Sequence, residues 1–263
     1  MAFSKVLANL NEKYTNKPKK RGEVRGDLIT SKLPKGINNG GRCAFSEIVR
    51  GLFFMALIRD YKRYREVGQR LCDKIMRRAL SERALNESGT LLGILRQGVF
   101  VFHREEDMNV LMDFALNEYK SGTKNAVQIY REKFGWKNDL EKELLDSLLS
   151  SYTSLFKIVS VLPSENTVIL YDLLNDKKDI KLLDINFSRT ADPGLLIFTR
   201  LLPFKDFNIT SGMAFVFPKN TENFFLKRYK KLTEKTEPDA LSLKRFIFFY
   251  NWNKTKGLNA ITL

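Results

Sequence analysis

The sequence predicts an α+β fold in which an N-terminal helical domain is followed by a small five-stranded antiparallel β barrel or half-barrel and then a helical or mixed C-terminal tail. Two patterns in the 263 residues predict this fold. Between about residues 43 and 155, apolar residues recur near every 3.6 positions, as they do along one face of an α-helix. Between residues 156 and 218, five runs of β-branched and aromatic residues are separated by polar turns, which is typical of consecutive strands.

The first 42 residues are basic and contain Pro and Gly, and no helical or strand period persists there. We therefore predict a flexible basic arm over 1–42 and a helical domain with five or six helices over 43–155. A long helix is expected to begin near Cys43–Ser46 and to continue to about Leu85. The sequence NESG at 86–89 then predicts a turn.

The β module is predicted over 156–218, because its apolar runs have the length of strands and recur about every ten residues. A basic, aromatic-rich C-terminal segment over 219–263 follows it. The five predicted strands lie within 156–163, 167–174, 180–187, 194–202 and 209–218.

Three short motifs occur within this module: D-L-L at the end of a strand, S-x-x-x-x-P-G in a polar turn, and R-L-x-P at the end of a later strand. In this sequence they fall on Asp172, Leu173, Leu174, Ser188, Pro193, Gly194, Arg200 and Pro203. With these motifs, residues 168–218 resemble a small β module of assorted uncharacterised bacterial proteins. The resemblance implies the β structure of this segment and no activity.

The net charge of +15 is concentrated at the two ends of the chain. Residues 1–80 hold nineteen Lys and Arg against seven Asp and Glu, and residues 219–263 hold ten against four. The intervening residues, 81–218, hold sixteen against nineteen. A basic excess at both ends is the electrostatic pattern of a protein that contacts a polyanion such as RNA or DNA.

One predicted helix carries eight of these basic residues, in the stretch RDYKRYREVGQRLCDKIMRR at 59–78. On a helical wheel its cations form a stripe opposite an apolar stripe, which suits phosphate contact. However, Glu66 and Asp73 lie inside the basic stripe, as on an ordinary solvated helix, so both interpretations stay open. The candidate phosphate-binding residues of this helix are Arg59, Lys62, Arg63, Arg70, Lys74 and Arg77.

The arm and the C-terminal segment supply further candidate contacts to nucleic acid. The aromatic residues of the C-terminal segment suit a protein interface, although burial in the core or base stacking would also account for them. The basic candidates are Lys19, Lys20, Arg21, Lys227, Arg228, Lys230, Lys231, Lys244 and Arg245, and the interface candidates are Phe246, Phe248, Phe249, Tyr250 and Trp252.

Little in the sequence indicates catalysis. Two cysteines and one histidine with no C-x-x-C pair do not form a zinc site, and phosphate-binding, dinucleotide-binding and nucleophile-elbow motifs do not occur. The best catalytic pattern is Glu165 with Asp179 and Lys181, which loosely matches metal-dependent nucleases. The sequence thus predicts no metal, no cofactor and no catalytic residue.

We therefore expect a non-enzymatic, cytoplasmic nucleic-acid-binding protein that contacts RNA or DNA mainly at phosphates. The alternative is an adaptor or assembly subunit that docks a protein partner through its aromatic C-terminal segment, and a nuclease comes third. No apolar run reaches the length of a membrane span, so no membrane association is expected.

Overall fold

The computed structural model describes residues 41–104 and 106–258, with side chains from residue 58 onward. The chain divides into two compact units, residues 1–62 and 63–263. Of the first unit, the described part is helical, whereas the second unit contains the sheet and the remaining helices. The basic arm predicted over 1–42 lies almost wholly outside the described residues.

Within the described residues, five helices precede the main sheet, in agreement with the predicted helical region. None of the described helices is long and apolar enough to form a transmembrane segment. The helices are α1 (Gly41–Ala79), α2 (Glu82–Leu91), α3 (Glu106–Asp113), which continues into a π-helical turn (Phe114–Glu118), α4 (Ala126–Phe134) and α5 (Asp139–Ser150).

The helical segment after residue 78 differs from the prediction. α1 ends at Ala79, and Ser81 caps a new helix by accepting a hydrogen bond from the backbone N–H of Ala84 at 3.1 Å. The expected turn at 86–89 is helical instead. Gly89 lies within α2. A short hairpin packs so closely against it that a Cβ at this position would lie 2.5 Å from the Phe100 ring. The glycine therefore serves close packing rather than a turn.

That hairpin joins β1 (Leu95–Arg96) to β2 (Val99–Phe100) and was not expected from the sequence. Its turn places Gln97 and Gly98 at positive φ, which suits a two-residue hairpin connection.

Five further strands confirm the number and the approximate positions of the predicted strands. The first begins at Tyr152, four residues earlier than predicted, directly after α5. The strands are β3 (Tyr152–Leu162), β4 (Thr167–Asp172), β5 (Lys177–Leu183), β6 (Leu196–Pro203) and β7 (Asn208–Phe217), with the short helix α6 (Phe187–Thr190) between β5 and β6.

These strands hydrogen-bond in the order β3–β4–β5–β7–β6, and β6 also pairs with β3, so the sheet closes on itself. Four pairings are antiparallel, but β5 and β7 pair in parallel through Leu182 and Asn208. The sheet is therefore mixed, and the predicted wholly antiparallel arrangement is not confirmed. Irregular register in three of the pairings bends the strands, as β-bulges do in closed sheets.

The interior of the sheet is filled by apolar side chains that alternate along each strand. β6 is buried along almost its whole length because its second face is covered by helices. Ile197 and Leu201 of β6 point into the sheet interior, whereas Phe198 and Arg200 belong to the opposite face. The interior cluster consists of Phe156, Ile158, Val168, Leu170, Leu182, Ile197 and Leu201.

Asp172, at the end of β4, is fully buried and holds the turn to β5. Its carboxylate accepts hydrogen bonds from the hydroxyl of Ser154 and from the backbone N–H groups of Leu174 and Asn175. The half-buried Tyr152 also donates to it, and burial, followed by the charge and hydrogen bond of Asp172, raises the pKa of Tyr152 to about 12. The tyrosine is therefore neutral over the physiological pH range.

The C-terminal segment is helical: α7 spans Glu222–Thr233 and α8 spans Pro238–Lys256. α8 lies against the outer face of β6 and β7 through stacked aromatic rings. Phe249 packs on Phe198 with ring centroids 4.4 Å apart, and Phe246 packs on Phe114 of the π-helical turn at 5.1 Å. Each fully buried phenylalanine contributes about 1.5–3 kcal/mol relative to exposure, so this aromatic layer fixes α8 on the sheet.

Arg200 connects the helical region to the sheet through a buried ion network. Its guanidinium donates to Asp113 of α3 at 2.9 Å and to Glu118 of the π-helical turn at 2.5 Å, and all three side chains are at most 5% exposed. The hydroxyl of Ser242 on α8 donates to the other oxygen of Glu118 at 2.6 Å. The network therefore joins four elements: α3, the π-helical turn, β6 and α8.

Burial alone would raise the pKa of the Glu118 carboxyl. Arg200 and the hydrogen bond from Ser242 outweigh burial and hold this pKa below its ordinary value. Burial would likewise lower the pKa of Arg200, but Asp113 and Glu118 outweigh it and raise that pKa. Glu118 and Arg200 are therefore both charged at neutral pH.

We expect Arg200→Met to lower the free energy of unfolding by about 3–5 kcal/mol, because it leaves two buried carboxylates without their cation. Urea denaturation followed by circular dichroism measures this loss. Arg83→Met is the control: Arg83 is exposed, and its carboxylate partner among the described residues is Glu87 one helical turn away, so no measurable change in the free energy of unfolding is expected. A loss below about 1 kcal/mol for Arg200→Met would contradict the role assigned to the network.

The lowered pKa of Glu118 also predicts a pH dependence. A carboxyl whose folded pKa is depressed stabilises the fold above its unfolded pKa, and this contribution is lost as pH falls through the folded value. Glu118→Gln should therefore destabilise the protein at pH 7 and flatten the decline in unfolding free energy below about pH 4.5. Glu234→Gln, which changes an exposed carboxylate, should leave the wild-type decline unchanged.

Candidate nucleic-acid interface

α7 presents a basic face because its apolar residues recur at i, i+4 and i+7. Phe225 and Tyr229 are buried and Leu232 is half-buried. The rings of Phe225 and Tyr229 pack against Phe249 of α8, with centroids 5.5 and 6.2 Å apart. The opposite side of the helix consequently faces solvent.

Four of the predicted phosphate-binding residues lie exposed on this helix. None of them forms a salt bridge within the described part of the chain. Glu222, the acid in the first turn of α7, pairs instead with Lys157 of β3 at 2.9 Å. The four cations are Lys227, Arg228, Lys230 and Lys231.

Two half-buried aromatic rings adjoin these cations. Phe224 of α7 meets Trp252 of α8 edge to face, with centroids 4.8 Å apart. The Arg228 guanidinium lies 4.6 Å from the Phe224 ring and 5.1 Å from the Trp252 ring, and the Lys256 ammonium lies 4.8 and 6.0 Å from the same two rings. Cation–π attraction thus holds both cations beside the rings. We call the following set the α7–α8 surface: Phe224, Lys227, Arg228, Lys230, Lys231, Trp252 and Lys256.

The aromatic residues predicted as a partner interface differ in burial. Phe246 and Phe249 are fully buried and Tyr250 is 3% exposed, so the chain's own core occupies them. The prediction is corrected for these three residues, because a side chain packed in the core cannot contact a partner. Phe248 and Trp252 are half-buried.

The two basic residues predicted at 244 and 245 also differ from each other. Lys244 is exposed, whereas Arg245 is half-buried and points towards the junction of α8 with β3. Its guanidinium donates to the hydroxyls of Thr153 at 3.3 Å and Ser242 at 3.4 Å. Arg245 thus contributes to internal packing at this position.

In the part of α1 that belongs to the second unit, carboxylates engage several cations. Arg70 lies 3.4 Å from Glu66 one turn away, and Lys74 is bound to the buried carboxylate of Glu141 on α5. Burial raises the pKa of Asp73, and the charge of Arg77 opposes that rise. Arg63 is exposed. The charge on this helix face is partly neutralised from within, as the two acids in its sequence suggested.

The remaining predicted contacts belong to the first unit or lie outside the described residues. Arg59, 3.8 Å from Asp60 and 80% exposed, and the exposed Lys62 belong to the first unit. Lys19, Lys20 and Arg21 of the predicted arm lie outside the described residues.

A protein-family model matches residues 55–262, which include α7, α8 and the whole sheet. The chain belongs to the family of unknown function DUF7986. No curated protein matches this sequence, and no solved structure matches it either.

In this DUF7986 chain, two residues of the α7–α8 surface were not among the sequence predictions: Phe224 and Lys256. The available signal was their spacing. Phe224 and Arg228 are four residues apart, as are Trp252 and Lys256, and residues at i and i+4 are neighbours on a helix surface. Two aromatic–cation pairs of this kind on consecutive helices would have indicated the cluster.

The residues of the nuclease hypothesis are separated along one hairpin. Leu170 of β4 pairs with Ile180 of β5, which places Asp179 beside Tyr171. Glu165 lies in the turn that precedes β4, so it is at the opposite end of the strand from that point. Within the described residues, no group of three or more His, Cys, Asp or Glu side chains is placed to hold a metal ion.

Proposed function

We propose that this DUF7986 protein is a non-enzymatic, cytoplasmic binder of RNA or DNA that contacts mainly phosphates through the α7–α8 surface. The observation that carries the proposal is the exposed row of cations on α7, which form no salt bridge within the described part of the chain. Cations without an internal partner attract phosphates and release counterions when phosphates bind.

The geometry of α7 supports contact with a backbone rather than with base edges. Lys227, Lys230 and Lys231 stand at i, i+3 and i+4, so they lie on one side of the helix within about one 5.4 Å turn. Lysine acts on phosphate as a point charge and carries no sequence information, whereas the planar guanidinium of Arg228 can bind one phosphate through two hydrogen bonds. The proposed binding is therefore insensitive to sequence and strongly dependent on salt.

The aromatic pair adds a reason to favour single strands. Arg228 and Lys256 lie over Phe224 and Trp252, and both cations can move from a ring to a phosphate. A base can then stack on the ring face that is uncovered, and base–aromatic stacking contributes about 1–3 kcal/mol. Paired bases in a duplex offer no free face for this contact.

The adaptor alternative has lost part of its support, since three of its five interface residues are in the core. The cations of α1 and of the N-terminal arm can add electrostatic attraction to the proposed binding. They are secondary in the proposal because carboxylates engage Arg70 and Lys74.

The triple variant Lys227→Gln, Lys230→Gln, Lys231→Gln tests the proposal. It should weaken binding of a fluorescein-labelled single-stranded RNA or DNA in anisotropy titrations from about 50 to 200 mM salt. The slope of log affinity against log salt should also fall by about 2, because each lost contact with a single strand removes about 0.7.

The matched control removes three exposed lysines from the β module: Lys178→Gln, Lys181→Gln and Lys205→Gln. It makes the same change in net charge and should retain most of the affinity and the slope. Equal effects of the two triple variants would show a response to net charge alone and would reject the α7–α8 surface as the binding site.

The two tryptophans of the chain, Trp136 and Trp252, allow a local optical test. Trp136→Phe leaves Trp252 as the only indole, and its fluorescence should be quenched when an oligonucleotide binds, because its cations move and a base approaches. Trp252→Phe leaves Trp136, which is 45% exposed and lies under Arg131 at 4.2 Å. Its signal should change little. Quenching of Trp136 alone would place the strand elsewhere.

A further inference from the structure

A cavity of about 300 Å³ lies in the second unit, away from α7 and α8. It is bounded by the end of α1, the start of α2, the π-helical turn with the loop that follows it, and one side of α4 along its length. The floor is apolar and includes the buried Leu80, Ala84, Ala115 and Ala126. A volume at the small end of the range for ligand pockets suits a small molecule rather than a macromolecule.

The rim of the cavity is strongly basic. Four cationic side chains line it, and no Asp or Glu is among its lining residues. The polar lining also includes three hydroxyl groups, from Ser81, Tyr119 and Ser121. The four cations are Arg77, Arg78, Lys124 and Lys133.

Carboxylates near the rim offset this charge only in part. Lys124 pairs with Glu132 at 2.6 Å, and Arg77 acts on Asp73. Glu87, which is not a lining residue, accepts a hydrogen bond from the hydroxyl of Tyr119 and forms a salt bridge with Arg83 at 2.7 Å.

The charges of the other two rim cations are not neutralised by a salt bridge within the described residues. Arg78 and Lys133 form no salt bridge within the described residues, and the Arg78 guanidinium lies 5.4 Å from the Phe134 ring. A net positive rim around an apolar floor matches a ligand with a small carbon skeleton and a multiply charged anionic group. Arginine with lysine is the usual combination for phosphate.

We propose that this cavity binds a small organic phosphate, at a site separate from the nucleic-acid surface on α7 and α8. The phosphate group contacts Arg78 and Lys133 at the rim, and the carbon skeleton covers the apolar floor. This proposal does not depend on the proposed function, because the two sites share no residue.

Isothermal titration calorimetry with ribose 5-phosphate, adenosine monophosphate and inorganic phosphate tests it, with adenosine as the uncharged control. At least one organic phosphate should bind more tightly than inorganic phosphate and with a Kd below about 1 mM. Adenosine should not bind. Failure of both organic phosphates at this threshold, or equal affinity for inorganic phosphate, overturns the proposal.

The double variant Arg78→Gln, Lys133→Gln should weaken the organic phosphate about tenfold or more, the effect of losing two charge-assisted hydrogen bonds. Lys133→Gln alone, at an exposed position, should give a smaller loss and remains usable if the double variant does not fold. Unchanged affinity in a folded double variant would overturn the proposed site.

The two proposals can be separated by testing both variants in both assays. The α7 triple variant should weaken oligonucleotide binding and keep the affinity for the organic phosphate, and the cavity double variant should do the reverse. A cavity variant that loses only the oligonucleotide would reject the small-molecule site and leave the α7 result to decide the proposed function on its own.

Discussion

The buried contact of Arg200 with Asp113 and Glu118 constrains most of the structure. The three charges come from β6, α3 and the π-helical turn, and Ser242 extends the network to α8. Desolvation offsets much of the Coulombic gain of such a group, whereas any arrangement that separates the charges leaves one of them buried without a partner. We infer that the network selects one alignment of helices on the sheet more than it adds net stability.

The π-helical turn is part of this constraint. A π-helix fits one extra residue into a turn, and such turns are rare and often occur at functional sites. Here the turn follows α3 directly, and Asp113 and Glu118 at its two ends contact the same guanidinium. Phe114, in the same turn, packs on Phe246 of α8. One irregular turn thus supplies a polar contact to β6 and an apolar contact to α8.

The candidate surface follows from how α8 is held. Its buried aromatic residues enter the core beside Phe198 and Phe215. Trp252 and Lys256, about one and two turns beyond the buried Phe249, then meet Phe224 of α7. The two helices then bring together aromatic–cation pairs that are 24 residues or more apart in the chain. The basic surface therefore depends on the aromatic core beneath it, and a defect in the Arg200 network is expected to disturb both.

The two basic helices differ in where their carboxylates lie. On α1, Glu66 stands one turn from Arg70, and Lys74 reaches the buried Glu141, so the helix satisfies part of its own charge. On α7, the acid of the first turn pairs with β3 instead. Counts of charge along the sequence rank both segments as basic. Glu66 and Asp73 already suggested partial neutralisation of α1, and the structure adds the long-range pairings of Lys74 with Glu141 and of Glu222 with Lys157.

The sequence by itself determined the α+β class, the five strands of the β module and the amphipathic character of α1. These features depend on periodicity within about ten residues, because a period of 2 or 3.6 specifies which face of a strand or helix is apolar. Other features required the tertiary structure: the parallel pairing of β5 with β7, the helical Gly89, the burial of Phe246, Phe249 and Tyr250, and the union of Arg200 with Asp113 and Glu118. Arg200 is more than 80 positions from either carboxylate of that ion network. An apolar or charged face shows that a segment needs a partner, but the partner is chosen by long-range packing, which no local pattern encodes.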